Sequence, residues 1–323
     1  MIDFQAHSGF ARTFKEHKLT LGITLPTEKK SGEVTKLTLE EQMTLVRSAE
    51  DLGFASLFVR DSPLLDPDFG DGGVLYDPFI LLAYVVAHTK KLAIGTASAV
   101  TTLRHPLHLA KSAASLDEMS DQRFLFGIAT GDRAIEFPAF KVERTKRPEL
   151  FRESVQVMKK VWKEAYPKLQ TERVGMTAGD IIPKPALAAI PIFGTGFSDQ
   201  TVEWLAEHTD GWLFYAQELK KQREIIQLWR DHTPTFKPFI QPLVVDLLEN
   251  PLAAPTPVPV IVGFKSGRQF LIDYLYALQD IGVNHVVLNL RSNTRPIEDI
   301  LQEVGEYVLP RFPSFEHVEI QQS

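Results

Sequence analysis

Three observations predict a (β/α)8 barrel, an α/β fold with a parallel sheet closed on itself. Eight short apolar runs recur along the 323 residues. They are rich in Val, Ile, Leu and Phe and lack polar alternation, the mark of strands buried on both faces. Segments with helical periodicity separate them, so each strand is followed by a helix. A doubly wound open sheet is the weaker reading, because the dinucleotide fingerprint that would support it is missing. The nearest match, Gly194-Thr195-Gly196-Phe197-Ser198-Asp199, lacks the third glycine.

The elements follow in order. Leu19–Leu25 is the first strand. Thr38 and Glu41 have capping-box spacing and open a helix over Leu39–Leu52. Ser56–Val59 is the second strand. Asp77-Pro78 is a cap followed by proline in the first turn, and its helix runs to about Lys90. Leu92–Ala97 is the third strand, and His105-Pro106 repeats the Pro-started helix. Phe124–Ala129 is the fourth strand; Phe151, Val155, Met158, Val161 and Trp162 then share one helical face. Ile190–Gly194, Gly211–Tyr215, Phe239–Leu247 and His285–Leu290 complete the set. Phe270, Leu271, Tyr274, Leu275 and Leu278 form one late helical face; Ile297, Ile300, Leu301, Val304 and Val308 form another. Three stretches stand outside this alternation: Ser62–Tyr76, Pro167–Ile190 and Asn250–Pro259. Insertions that follow strands belong at the C-terminal face, as lids or as ordinary surface excursions. The expected organisation is one barrel domain over residues 1–323 with insertions in those loops.

Composition narrows the function classes. The net charge is −6 and the chain has no cysteine. A mildly acidic chain lacks the basic stripe of a nucleic-acid or membrane-surface binder. Without cysteine there are no disulfides, thiolate metal sites or cysteine nucleophiles. The N-terminus has no signal-peptide core, and the longest apolar run, Phe79–Ala87, falls far short of the roughly 20 residues a membrane span needs. The expectation is a cytoplasmic protein.

In a barrel, chemistry sits at the C-terminal ends of strands. Those positions are Thr24, Arg60 and Asp61, Ser98, Thr130 and Asp132, Gly194 to Ser198, Tyr215, Asp246, and Asn289 with Arg291. They are small, hydroxylic or singly charged, with no dense carboxylate cluster for metals. His105 and His108 are one helical turn apart, but no third ligand is signalled, so a surface helix face is the simpler reading. No H-E-x-x-H, G-x-S-x-G or P-loop pattern occurs. Two stretches suit a ligand. In Gly194–Thr201, glycines let a backbone approach closely, and the hydroxyls of Ser198 and Thr201 with free N–H groups at a helix start suit a phosphate; turn-and-cap chemistry, with Ser198 or Asp199 as the cap, explains the same residues. In Gly95–Pro106, a strand ends in small residues that leave room for a flat ligand or pack on a neighbouring strand.

Leu92–Phe137 also resembles the bacterial-luciferase-like family of flavin-dependent monooxygenases and oxidoreductases. The likeness rests on the Gly95-Thr96-Ala97 strand end, His105-Pro106, and Ser115, Asp117, Arg123 and Phe124. Phe126, Gly127, Gly131, Glu136 and Phe137 continue it, and Gly282-Val283-Asn284-His285-Val286 resembles the family's last strand. The resemblance implies a barrel binding FMN or F420, with a non-prolyl cis bond at Ala97–Ser98 against the flavin. It implies flavin contacts at Ala129 and Thr130, and a phosphate site at Gly196, Phe197, Ser198 and Thr201. Thr130 stands where some members carry a phosphate-reaching arginine. Arg60-Asp61 stands where the luciferases proper carry a histidine pair, which argues against light emission from a long-chain aldehyde.

What the resemblance implies in function is a monooxygenase using reduced FMN from a separate NAD(P)H-dependent flavin reductase. Through a C4a-peroxyflavin it would oxygenate a small organic substrate with O2. The cofactor carries the hard chemistry, which fits a site with few acid–base groups. Arg60, Asp61 and Asp132 are the candidates for polarising substrate or flavin. An F420-dependent dehydrogenase on the same fold is the first alternative, supported by Lys141, Arg144, Lys146 and Arg147, which would suit a longer acidic tail. A non-catalytic flavin carrier and a flavin-free barrel lyase are the others. No metal is expected. A homodimer is expected, and the apolar Phe79–Ala87 helix fits burial at an interface or in a core.

Overall fold

A computed structural model describes residues 2–27, 36–66, 76–258 and 263–315. Its eight barrel strands are Thr20–Thr24, Ser56–Val59, Ala93–Val100, Phe124–Ala129, Ile192–Thr195, Gly211–Leu213, Phe239–Leu247 and His285–Asn289, here the first to the eighth. All pair in parallel with their neighbours, and the first strand closes the barrel on the eighth, Gly22 opposite Val287. Each barrel strand is an apolar run read from sequence. The third is longer than its apolar core: its register with the fourth shifts between Thr96 and Ala99, and pairing then resumes at Ala99 opposite Ile128.

The helices begin where local chemistry sets them. Thr38 and Glu41 form the reciprocal capping box at Leu39–Leu52. Asp77 caps Pro78–His88, and His105 caps Pro106–Met119 through its ring nitrogen. Outward-facing strand residues such as Ile23, Ile94, Phe126 and Ile192 pack under the helices. Phe58, Leu125, Phe193, Leu213, Ile240 and Val287 form a separate inner cluster.

The lower, N-terminal end of the barrel is stoppered. Helix Ser8–Thr13 brings Phe10 and Phe14 into that inner cluster, and Phe14 lies 5.3 Å from Phe193 and 5.8 Å from His285, centroid to centroid. The arm is tied down by His7, whose Nδ1 accepts from Phe10 N–H (3.2 Å), leaving Nε2 to donate to the buried Asp117 (2.9 Å). Arg123 donates to Ser120 O, Leu92 O and Thr89 beside it. Two of the family-like motif residues, Asp117 and Arg123, therefore build the base of the barrel.

His285 is buried in the interior above this plug. Thr20 Oγ1 donates to Thr13 O (2.7 Å), so it accepts from His285 Nδ1–H (2.7 Å), and Ser56 Oγ donates to Nε2 (2.7 Å). Burial pushes the imidazole pKa down to about 3, which keeps the ring neutral.

The three irregular stretches divide. Of Ser62–Tyr76, residues 67–75 lie outside the described residues. Pro167–Ile190 follows a helix, Arg147–Lys163, rather than a strand, and holds the short antiparallel pair Leu169–Gln170 and Gly175–Met176. Its tip is pinned by Arg173, which bonds Glu153, Leu150 O and Arg104 O. In Asn250–Pro259, Thr256–Pro257 pairs with Gly263–Ser266, which extends beside the seventh strand; Pro259 lies outside the described residues.

Candidate active site

The upper end of the barrel is floored by small residues because larger ones do not fit. A Cβ on Gly127 would lie 2.0 Å from Thr96 O, and one on Gly95 would lie 2.4 Å from Phe58 Cε1. Thr96 Oγ1 donates to Gly127 O (2.7 Å), which binds the third strand to the fourth. The Ala97–Ser98 peptide bond is cis, as the resemblance implies. Ser98 Oγ hydrogen-bonds Thr195 Oγ1 and so links the third strand to the fifth across the fourth. Ala129 and Thr130 follow on the same rim. Ala129 O accepts from Thr101 N–H (3.0 Å), and Thr130 O accepts from Thr102 Oγ1 (2.6 Å).

Beyond Thr195 the chain turns through Gly196, Ser198 and Asp199, all with φ near +50°. Ser198 Oγ donates back to Thr195 O (2.7 Å). The helix Val202–His208 is capped by Thr201, whose Oγ1 accepts from Trp204 N–H. Ser198 and Asp199 therefore do not cap it: they turn in the left-handed region ahead of the cap, and their side chains are committed elsewhere. Phe197 is 48% exposed at the rim, with its ring edge against Trp212 and Phe214. Tyr215 lies beside Gly196, where a Cβ would meet its ring at 3.1 Å.

The charged groups fall into two sets. Asp61 is saturated: its carboxylate accepts from Val100 N–H (2.9 Å) and pairs with Arg104 through Nε (3.2 Å) and Nη2 (3.0 Å). Asp77 holds the other end of that guanidinium at 3.0 Å. Arg104, which the sequence reading passed over, is the centre of this clamp. A cavity of about 460 Å³ lies beside it, lined by Phe79, Leu103, His108 and Phe140 among others. Arg60 is half-buried at the end of the second strand.

Asp132 is exposed on the loop after the fourth strand. Burial pushes the Tyr215 phenol upward, and the charge of Asp132 adds to it. Glu136 is 1% exposed. Burial pushes its carboxyl up, against the Leu64 N–H bond and the Arg133 charge. Arg133 also donates to Leu64 O (2.9 Å), so the loops after the second and fourth strands are stitched together.

The basic residues after the fourth strand separate. Lys141 and Arg144 are exposed, and Lys146 pairs with Glu172. Arg147 turns inward, donating Nη1–H to Gly131 O (2.9 Å) and facing Asp199 at 3.2 Å. His105 Nδ1 accepts from Leu107 N–H, so its Nε2 donates to Arg173 O (2.9 Å), which uses both nitrogens. Among the described residues, no three His, Asp or Glu side chains are grouped to hold a metal ion.

Comparison with known proteins agrees with this architecture. Residues 19–241 match the model of the luciferase-like monooxygenase family. The alkanal monooxygenase alpha chain of Photorhabdus luminescens is 28% identical over 186 residues, 56% of this chain and 50% of that one. The alpha chain from the Kryptophanaron alfredi symbiont is 27% identical over 195 residues, 59% of this chain and 53% of that one. The chain thus spans about half the length of the curated relatives it matches. Two solved structures share the fold over 91% of this chain at a TM-score of 0.73. One is monooxygenase RslO1 from Streptomyces bottropensis, 18% identical and covered over 99%. The other is an F420-dependent secondary alcohol dehydrogenase with an F420–acetone adduct, 15% identical and covered over 98%. No helix among the described residues is long and apolar enough to cross a membrane.

Proposed function

The chain belongs to the luciferase-like monooxygenase family, and from that premise we propose that it is a flavin-dependent monooxygenase. It uses reduced FMN, delivered by a separate NAD(P)H-dependent reductase, and O2 to oxygenate a small organic substrate. The observation that carries the reading is the continuity of the barrel mouth. The Ser98–Thr195 bond joins the small-residue floor to the hydroxyl loop at Gly196–Thr201. A flat ring system with a phosphate arm needs that pair of surfaces side by side.

Bound reduced flavin supplies the electrons that activate O2. The protein's own residues do the rest. Ala97, Ser98, Ala129 and Thr130 form the flat floor, and no side chain can replace Gly127 beneath it without moving the strand. Gly196, Phe197, Ser198 and Thr201 hold the phosphate arm, with the half-exposed Phe197 ring screening water from it. Asp61 works through Arg104 and the Val100 N–H as a positioning residue for the strand end. Arg60 and the exposed Asp132 orient the substrate.

FMN is favoured over F420 by the fate of the basic cluster. A longer acidic tail calls for several cations, yet Lys141 and Arg144 point to solvent, Lys146 is paired with Glu172, and Arg147 alone of these four meets the loop. A homodimer is part of the proposal, supported by Ile80, Tyr84 and Ala87, exposed along one face of the apolar helix Pro78–His88.

The test is anaerobic titration with reduced FMN and, separately, reduced F420, followed by stopped-flow mixing with oxygenated buffer. Tight binding of reduced FMN, with re-oxidation slower than that of free flavin, is the expected result. Binding of F420 alone, with no reaction toward oxygen, would overturn it in favour of a dehydrogenase.

A further inference from the structure

Arg147 meets the hydroxyl loop at Asp199, as Arg152 does at Gln200, and it stands outside the phosphate-contact positions that the resemblance implies. Thr130 stands where some family members put that arginine, and its side chain is buried on the rim. Arg147 begins the helix Arg147–Lys163, whose first turns are stitched to the loop. Gln200 donates to Pro148 O (3.1 Å) and accepts from Arg152 Nε (2.6 Å), and Asp199 faces Arg147.

The guanidinium is underused. Nη1 donates to Gly131 O, Nη2 faces both Asp199 oxygens at 3.2 and 3.4 Å, and Nε is buried with no hydrogen-bond partner among protein atoms. A buried donor left unsatisfied carries a desolvation penalty, which a ligand that reorients the group removes. Asp199 is 35% exposed and held at φ +54°, next to Ser198 at +47°. An ion pair this exposed is weak. A phosphate dianion carries more charge than one carboxylate and has three oxygens for the guanidinium fork.

Resting on the flavin reading above, we infer that Arg147 is the phosphate-binding cation of this site and that Asp199 occupies it when no ligand is present. The arriving phosphate displaces the Asp199 carboxylate, which swings to solvent. This supplies the positive charge that Thr130 does not. It also makes affinity for the phosphate arm a competition, so flavin binds and leaves as a diffusing co-substrate would. Arg147 acts in selectivity for phosphorylated over unphosphorylated flavin, not in the oxygen chemistry.

Anaerobic calorimetric titration with reduced FMN and with reduced riboflavin, which lacks the phosphate, separates the outcomes. In the native protein FMN binds more tightly. Arg147→Met should weaken FMN by about tenfold or more and leave riboflavin within about twofold, and Arg147→Lys should recover part of the loss. Asp199→Asn removes the competitor and should tighten FMN by about three- to tenfold without changing riboflavin. That gain guards against an Arg147 variant that merely folds poorly. Equal losses for both flavins in Arg147→Met, or weaker FMN binding in Asp199→Asn, overturn the inference while the flavin reading stands. A native protein that binds neither flavin overturns both.

Discussion

The two ends of the barrel are built from opposite materials. The lower end is packed with Phe10, Phe14, Phe58 and Phe193 around a neutral histidine whose two nitrogens are both bonded. The upper end is kept open by Gly95, Gly127, Ala97 and Ala129 and rimmed with hydroxyls and ion pairs. Stability thus concentrates where apolar surface is removed from water, and the barrel stays open where side chains are withheld. The division implies that substitutions below change stability and leave ligand binding alone, while those above change binding, and stability only where they break the buried clamp at Asp61.

The sharpest way to break that division is Phe14→Ala. Phe14 is 0% exposed against Phe193 and His285, so its truncation should cost about 3–5 kcal/mol in denaturant unfolding. Reduced-FMN affinity of the folded fraction should be unchanged. A loss of flavin affinity larger than the loss of stability would show that the two ends are coupled.

The buried histidine gives the next largest effect. The folded state holds His285 at a pKa of about 3, against an ordinary value of 6.5. The unfolded chain therefore takes up a proton first as pH falls. The contribution is fully present above pH 6.5 and is lost by up to about 1.4 kcal/mol per pH unit on the way down toward the folded value. Urea midpoints measured between pH 7 and pH 5 should fall more steeply in the native protein than in His285→Gln. Parallel slopes would place the pH sensitivity elsewhere.

Asp61 and Asp132 sharpen the comparison within the upper end. Asp61→Asn breaks a pair whose carboxylate is 1% exposed, with Asp77 still holding Arg104. We expect a loss of about 1–3 kcal/mol in thermal or urea unfolding. Asp132→Asn lies on the surface and should stay within about 0.5 kcal/mol, with its effect confined to turnover. If Asp132→Asn unfolds the protein more readily than Asp61→Asn, the assignment of clamp and substrate contact is reversed.

The motif most recognisable in the sequence turned out to serve the lower end. Asp117 holds His7 and the N-terminal arm, and Arg123 binds together the ends of three elements. Such residues are legible because burying a charge demands a fixed set of partners. The N-terminal plug itself was not legible. Phe4, Phe10 and Phe14 lie on a short segment with no long periodic face, and only the open barrel end gives them a place to go.

By itself the sequence determined all eight strands, the capped starts of three helices and the small-residue strand end, because each of these depends on neighbours within a few residues. Periodicity reports burial, and capping reports local hydrogen bonding. The third strand's extra length and the cap at Thr201 needed the structure, since register and left-handed turns depend on the partner strand. Closure of the barrel decided the rest. It brought Arg104 to Asp61, Arg147 to Asp199 and His285 to Ser56, pairs 43, 52 and 229 residues apart. No local signal encodes which distant charge a side chain will meet. That is set by strand order and shear, and so the small-residue strand end could be read from the chain while the charge pairs at the barrel mouth could not.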